Sequence, residues 1–286
     1  MLNRDTLSIN PTPSIQESSH IEDVLPFTDA PDFLGGFDID NTLIQSAEAL
    51  GSDQWFMKLL EFAYDNSPSK ETEALVIAIY HALHQYHTTV ELVETVTAPM
   101  IKKLQAKNTP LIGLTARGRE LSDTTVNQLK SVDIEFKLNK TPKSSFGLTV
   151  KGVENAALYH HGIIFCGGSS KGDCLQAFFE AIDWQPANVV MIDDKLKHLK
   201  AIESTIKPKG SQFFGIRYGY LDEKVANFNK DAEEMKKANH QLLEAYHKFP
   251  TNAKQAINKI FLFEPRQKYK EPESKDIHNL GYSKWL

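Results

Sequence analysis

The chain has 286 residues, 41% of them hydrophobic and 24% charged, and carries a net charge of −5 from 32 Lys and Arg against 37 Asp and Glu. A chain of this length buries about 75% of its unfolded surface on folding, which predicts one large domain with a smaller appendage. The charge balance argues against broad electrostatic binding to nucleic acid or to an anionic membrane, so an anionic substrate has to be captured locally.

The opening stretch, "MLNRDTLSINPTPSIQESSHIEDVLPF", holds no continuous apolar run, and no window of the chain approaches 18 uninterrupted apolar residues. Neither a usual signal peptide nor a membrane span is expected. Its Ser, Pro, Asn and Thr content predicts a flexible tail over residues 1–28 that takes no part in a core. Short apolar runs then alternate with helical patterns, as in a parallel sheet with crossover helices. The predicted strands are "FLGGFDI", "PLIGLT" (Pro110 to Thr115), "GIIFCG" (Gly162 to Gly167), "NVVMID" (Asn188 to Asp193) and "QFFGIRY" (Gln212 to Tyr218).

Between Thr42 and Pro110 there is no strand signal, and two amphipathic segments, "SDQWFMKLLEFAYD" and "KETEALVIAIYHALHQYH", predict a helical insertion over residues 44–104. Crossover helices are expected from about Arg119 to Lys130, from Lys171, where Leu175, Phe178, Phe179 and Ile182 form one stripe, and from about Lys195 to Ser204. Room remains before Lys171 for a β-hairpin with "NKTPKSSFG" as its loop. Residues 29–43 and 105–220 then make an α/β core with a Rossmann-like parallel sheet, and residues 221–286 a helical extension, packed on the core, with a polar tail. Cys166 and Cys174 sit in or beside apolar segments and read as buried, reduced thiols. With no apolar leader, they place the chain in the cytoplasm, leaving open an export route that uses no such leader.

The chemistry concentrates in "GFDIDNTL". Asp38 and Asp40 lie two residues apart at a strand end, and two like charges that close need compensation. A calcium loop fails, since Leu43 stands where its turn glycine belongs and Ala49 where its bidentate Glu belongs. Companions end the other strands: Thr115, Lys171 at a helix start, and Asp193 with Asp194. Parallel strands bring their carboxyl ends to one rim, where ligands of open α/β sheets bind. The set makes sense as a phosphoryl-transfer site. Asp38 is the expected nucleophile, and Lys171 and a divalent cation offset its repulsion from a phosphate monoester. Hard oxygen ligands suit Mg²⁺, drawn from the side chains of Asp38 and Asp193, the main-chain carbonyl of Asp40 and, with them, Asp194. Asp40 is the expected general acid and then base, with its protonated form favoured by the neighbouring Asp38, and Thr115 donates to the phosphoryl oxygens.

These residues resemble the motifs of the haloacid dehalogenase (HAD) superfamily: D-x-D-x-T in Asp38-Ile39-Asp40-Asn41-Thr42, then Thr115, Lys171 and the acidic pair Asp193-Asp194, in that order. The resemblance covers the core alone. It implies a HAD-like phosphatase with a phosphoaspartyl intermediate, and makes the insertion a cap that favours a small phosphorylated substrate. A phosphoprotein phosphatase, a phosphomutase and a silent phospholigand-binding protein are the alternatives. Gly35-Gly36, where the family carries bulky aliphatics, reads as a bulge or a close helix approach.

Other signals are weaker. "GGSSKGD" is not a P-loop, because Lys171 lies between Ser170 and Gly172. His81, His84 and His87 diverge around their helix and read as surface or cap-lining groups rather than a zinc site. Gln54, Trp55 and Phe56 are placed to contact substrate, but a Trp and a Phe on a helix read first as core. Arg117 reads as a partner for a substrate anion or as a cap of the following helix. Oligomeric state is not readable.

Overall fold

The five apolar runs become five adjacent strands in the middle of one sheet. The structure is a computed structural model, and it describes residues 14–136 and 144–261. In chain order, β1 (Ile15–Ser18), β2 (Phe33–Phe37) and β3 (Ile44–Ser46) precede helices α1 (Asp53–Asn66) and α2 (Lys70–Tyr86). Next come β4 (Val90–Leu92), α3 (Thr97–Ala106), β5 (Leu111–Thr115), α4 (Ser122–Ser131), β6 (Phe146–Val150), β7 (Val153–His160) and β8 (Ile163–Phe165). The chain continues through α5 (Lys171–Ala181), β9 (Asn188–Asp193), α6 (Leu196–Ile206) and β10 (Gln212–Tyr218) to α7 (Asp222–Lys230), α8 (Ala232–Ala245) and α9 (Thr251–Phe261).

The large sheet runs β1-β10-β9-β2-β5-β8-β7-β6. Its first six strands are parallel, and β7 and β6 add an antiparallel edge. This is the expected α/β class, a Rossmann-like and mostly parallel sheet with helices on both faces. One face packs Phe33, Phe37, Val190 and Ile192 against Ala98, Ile101 and Leu104 of α3 and Val126 and Leu129 of α4. The other packs Leu34, Ile112, Leu114 and Met191 against Leu175, Phe178 and Phe179 of α5 and Leu199 and Ile202 of α6. Both faces are covered, so the strands read as continuous apolar runs without alternation.

Several expectations are corrected. The described part of the supposed N-terminal tail is structured: Ile15–Ser18 pairs in parallel with β10, and Ile21 and Val24 are buried in the core beside Tyr218. Polar composition hid this because an edge strand needs only backbone partners, and the turn that follows contributes just two buried side chains. The region after Thr42 does contain strands, since β3 and β4 pair antiparallel; at three residues each they are too short to show an alternating pattern. The insertion is also shorter than expected, because α3 packs on the sheet. The hairpin exists as β6 and β7, but its turn is Lys151-Gly152, with both residues at positive φ. Of "NKTPKSSFG", residues 139–143 lie outside the described residues, and Phe146 and Gly147 already belong to β6.

Gly35-Gly36 makes neither bulge nor helix contact. Both residues keep regular pairing with β9 and β5, and a Cβ on Gly36 would stand 2.0 Å from Met191 Sδ. The glycine makes room for a neighbouring strand's side chain. The C-terminal helices pack on the insertion more than on the sheet: Trp55, Leu59, Val76, Ile79 and Leu83 share one cluster with Met235, Leu242, Ala253, Ile257 and Ile260.

Candidate active site

Asp193, Asp38 and Thr115 follow or end β9, β2 and β5, three adjacent parallel strands, and therefore share the carboxyl rim of the sheet. The amide of Asp38 donates to the carbonyl of Ile192 at 2.9 Å, so the β2–β9 pairing runs right up to the carboxylates. Beyond Asp38 the chain tightens. The amides of Leu43 and Ile44 return to the carbonyl of Ile39 at 3.0 and 3.1 Å, with Asn41 at positive φ. Ile39, Leu43 and Ile44 are wholly buried and anchor this loop under the site.

Lys171, at the first turn of α5, donates from Nζ to Asp38 Oδ1 and Asp193 Oδ2, each at 2.6 Å. All three side chains are almost inaccessible. Asp193 also accepts from the Lys195 amide at 2.8 Å and lies 3.2 Å from His198 Nδ1. Oxygens of Asp38, Asp193 and Asp194 come within 4.8 Å of one another. Burial and the charge of Asp193 push Asp38 up to about 6, against the pull of Lys171. Burial, then Asp38, lifts Asp194 to about 8. Burial would raise Asp193 too, but Lys171 holds it below the ordinary carboxylate range. One buried ammonium thus serves two carboxylates while a third is held nearby, and Asp194 Oδ1 is buried with no hydrogen-bond partner among the described residues. A surplus of hard, buried oxygens with one orphaned acceptor fits a divalent cation.

Asp40 is not with them. Its carboxylate lies on Arg117 in a bidentate pair, with Arg117 Nε at 2.9 Å from Oδ2 and Nη2 at 2.7 Å from Oδ1. Burial would raise its pKa, but the charge and hydrogen bonds of Arg117 bring it below the ordinary carboxylate range. This corrects the expectation of a protonated Asp40. The opposing cation was a residue whose partner the sequence left undecided, and it outweighs the more distant Asp38. Arg117 itself is engaged by Asp40 on one side and by Thr125 and Gln128 of α4 on the other. The hydroxyl of Thr115 is buried and accepts from the Arg117 amide at 3.1 Å.

The insertion meets this rim through Asp53, which accepts from Lys195 Nζ at 2.8 Å, and Gln54, whose Oε1 lies 3.5 Å from Asn41 Nδ2. Trp55 is core, fully buried with its indole N–H on Asn239 Oδ1 at 3.1 Å, and Phe56 packs against Tyr80. Of the three histidines, His84 is buried between Gly51 and Gln128, while His87 faces Glu48. Sequence reasoning missed His198, Lys195 and Gln128. The spacing of Thr125 and Gln128, two polar residues one turn apart on the buried side of α4, was the available signal.

The model of the family described as "Protein of unknown function (DUF2608)" matches residues 17–248. A Chlamydia pneumoniae protein named "Putative outer membrane protein" is 26% identical over 182 residues, covering 63% of this chain and 67% of that protein. A protein of the same name from Chlamydia trachomatis serovar D is 25% identical, covering 64% and 67%. An uncharacterized protein of Rickettsia prowazekii is 25% identical over 218 residues, covering 73% and 77%. Among solved structures, a HAD family hydrolase from Deinococcus radiodurans R1, crystallised with phosphate and sodium, matches at 13% identity with a TM-score of 0.36, covering 70% of this chain and 97% of that one. The chlamydial names correct the expectation of a cytoplasmic protein. Cys166 and Cys174 are fully buried free thiols, as expected, and such packing carries no information about compartment. Among the described residues no helix is long and apolar enough to cross a membrane.

Proposed function

We propose that this chain, which belongs to the family described as protein of unknown function (DUF2608), is a phosphatase that hydrolyses a small phosphate monoester through a phosphorylated Asp38. The observation that carries this reading is the placement of Asp38, Lys171, Asp193 and Asp194 in one buried cluster at the carboxyl rim, with Asp40 two residues beyond the nucleophile. The motif order that resembles the HAD superfamily supports it.

Asp38 attacks phosphorus through a carboxylate oxygen, and the bond to the leaving oxygen breaks. Lys171 lowers the repulsion between the Asp38 carboxylate and the phosphoryl oxygens, and Thr115 stands at the same rim to donate to them. Asp38, Asp193 and Asp194 would hold a divalent cation such as Mg²⁺, which when bound supplies further neutralisation of phosphoryl charge. A water then attacks the phosphorylated Asp38 while Asp40 takes its proton, and phosphate leaves with Asp38 restored. Held ionised by Arg117, Asp40 is ready for this base step, whereas the acid step requires it first to gain a proton. Esters whose leaving groups are already acidic, such as aryl phosphates, are therefore the expected better substrates. Helices α1 and α2 act as the cap over the rim and limit access to small substrates.

The test is hydrolysis of an aryl phosphate with Mg²⁺ or with chelator, by the native chain and by Asp38→Asn. Turnover that vanishes with chelator and with the substitution is the expected result. Undiminished turnover by Asp38→Asn would overturn the assignment.

A further inference from the structure

Arg117 is the most heavily engaged buried cation outside the carboxylate cluster, with a side chain 3% exposed. Four of its five N–H groups are accounted for. Nε and Nη2 hold Asp40, and Nη1 donates to Thr125 Oγ1 at 2.9 Å and to Gln128 Oε1 at 2.7 Å. The remaining roles along the chain follow from this one. Because a guanidinium only donates, the Gln128 oxygen has to face it. The Gln128 amide nitrogen then faces outward and donates to His84 Nδ1 at 3.1 Å. With Nδ1 accepting, the His84 proton lies on Nε2, which donates to the carbonyl of Gly51 at 3.0 Å. A continuous chain of hydrogen bonds links the carboxylate of Asp40 to the insertion through Arg117, Gln128 on α4 and His84 on α2, with Arg117 donating toward both ends.

We infer that Arg117 is the positioning residue for Asp40 in the hydrolysis of phosphorylated Asp38, and that Gln128 and His84 hold Arg117 in register, so that the helical insertion sets the base through this chain. The inference rests on the phosphatase reading given above. A planar fork engaged at both oxygens sets the carboxylate's plane as well as its distance, which a point charge cannot do. Misplacing a base by about 1 Å costs on the order of 10²-fold in rate.

The experiment uses p-nitrophenyl phosphate, whose leaving group needs no proton, with rapid-mixing and steady-state measurements on the full chain. In Arg117→Lys, which keeps the charge and loses the fork, phosphorylation of Asp38 proceeds while its hydrolysis stalls. The expected signature is a burst of about one nitrophenolate per site, with steady-state kcat about 10–100-fold below the native chain. Gln128→Ala, which keeps both the Arg117 and Asp40 side chains but removes the support of the guanidinium, gives the same signature with a smaller fall and serves as the test if Arg117→Lys does not fold. Parallel loss of burst and turnover in folded variants would mean a merely structural role, and native kcat in both would mean none; either overturns the inference. A native chain that turns over no phosphate ester under any metal condition overturns the phosphatase reading itself, and this inference with it.

Discussion

Lys171 sits 2% exposed between two carboxylates, a position that burial alone would make untenable for an ammonium. Burial would lower its pKa, but Asp193 and Asp38 together raise it well above the ordinary value, so it stays charged. Removing it strands two facing carboxylates, and breaking such a buried arrangement costs about 3–5 kcal/mol. Lys171→Met is accordingly expected to lower the unfolding free energy by about that amount. Mg²⁺ should restore more stability to the variant than to the native chain, as read from thermal unfolding with and without the ion. His84 gives the pH dependence at this scale. Burial, then Arg117, lowers its pKa to about 3, below the unfolded value of 6.5. The unfolded chain binds the proton first as pH falls, so stability drops by about 1.4 kcal/mol per pH unit below 6.5. The raised pKa values of Asp38 and Asp194 act in the opposite sense, and cancel when the native chain is compared with His84→Gln. Denaturant titrations of the two at pH 7 and pH 5 should show their stability difference change by about 2 kcal/mol against the native chain.

At the scale of elements, the position of Lys171 depends on how closely α5 and α6 approach. Gly172 permits that approach: a Cβ there would stand 2.3 Å from the Ala201 carbonyl oxygen and 2.6 Å from Thr205 Oγ1. The first obstacle is backbone and cannot rotate away. Gly172→Ala is expected to force the helices apart, destabilise the chain by about 1–3 kcal/mol as overpacking does, and move the neighbouring ammonium off its two carboxylates. Calorimetry and the aryl phosphate assay report the two effects separately. The same helix pair covers one face of β9 and β2, so this one glycine connects core packing to the geometry of the rim.

Across the whole molecule, the insertion is held from three sides. Asp53–Lys195 and His84–Gln128 tie it to the core, Leu121 joins its cluster, and α8 and α9 pack against α1 and α2. Helix α9, which follows the last residue matched by the family model, buries Ala253, Ala256, Ile257 and Ile260 in that cluster. An insertion fastened this way should unfold together with the sheet. Ile257→Ala is expected to cost about 2–5 kcal/mol and to lower one cooperative transition in scanning calorimetry; two separated transitions would show that the helical unit melts by itself.

The sequence by itself determined the strands that face neither solvent nor each other's loops, because burial on both sides leaves uninterrupted runs such as "PLIGLT" and "NVVMID". It also determined that Asp38, Thr115, Lys171 and Asp193 share a rim, since parallel strands put their ends together whatever their exact order. What it left open were features whose partners are remote in the chain. The edge strand Ile15–Ser18 is defined by a backbone ladder to β10, 200 residues away, that no side-chain pattern announces. The ionisation of Asp40 is decided by Arg117, 77 residues on, and the orientation of Arg117 in turn by Gln128 and His84. Tertiary structure decides such charges because, in a buried site, a group's protonation follows from which opposite charge lies within hydrogen-bonding reach, and that distance exists only once the chain has folded.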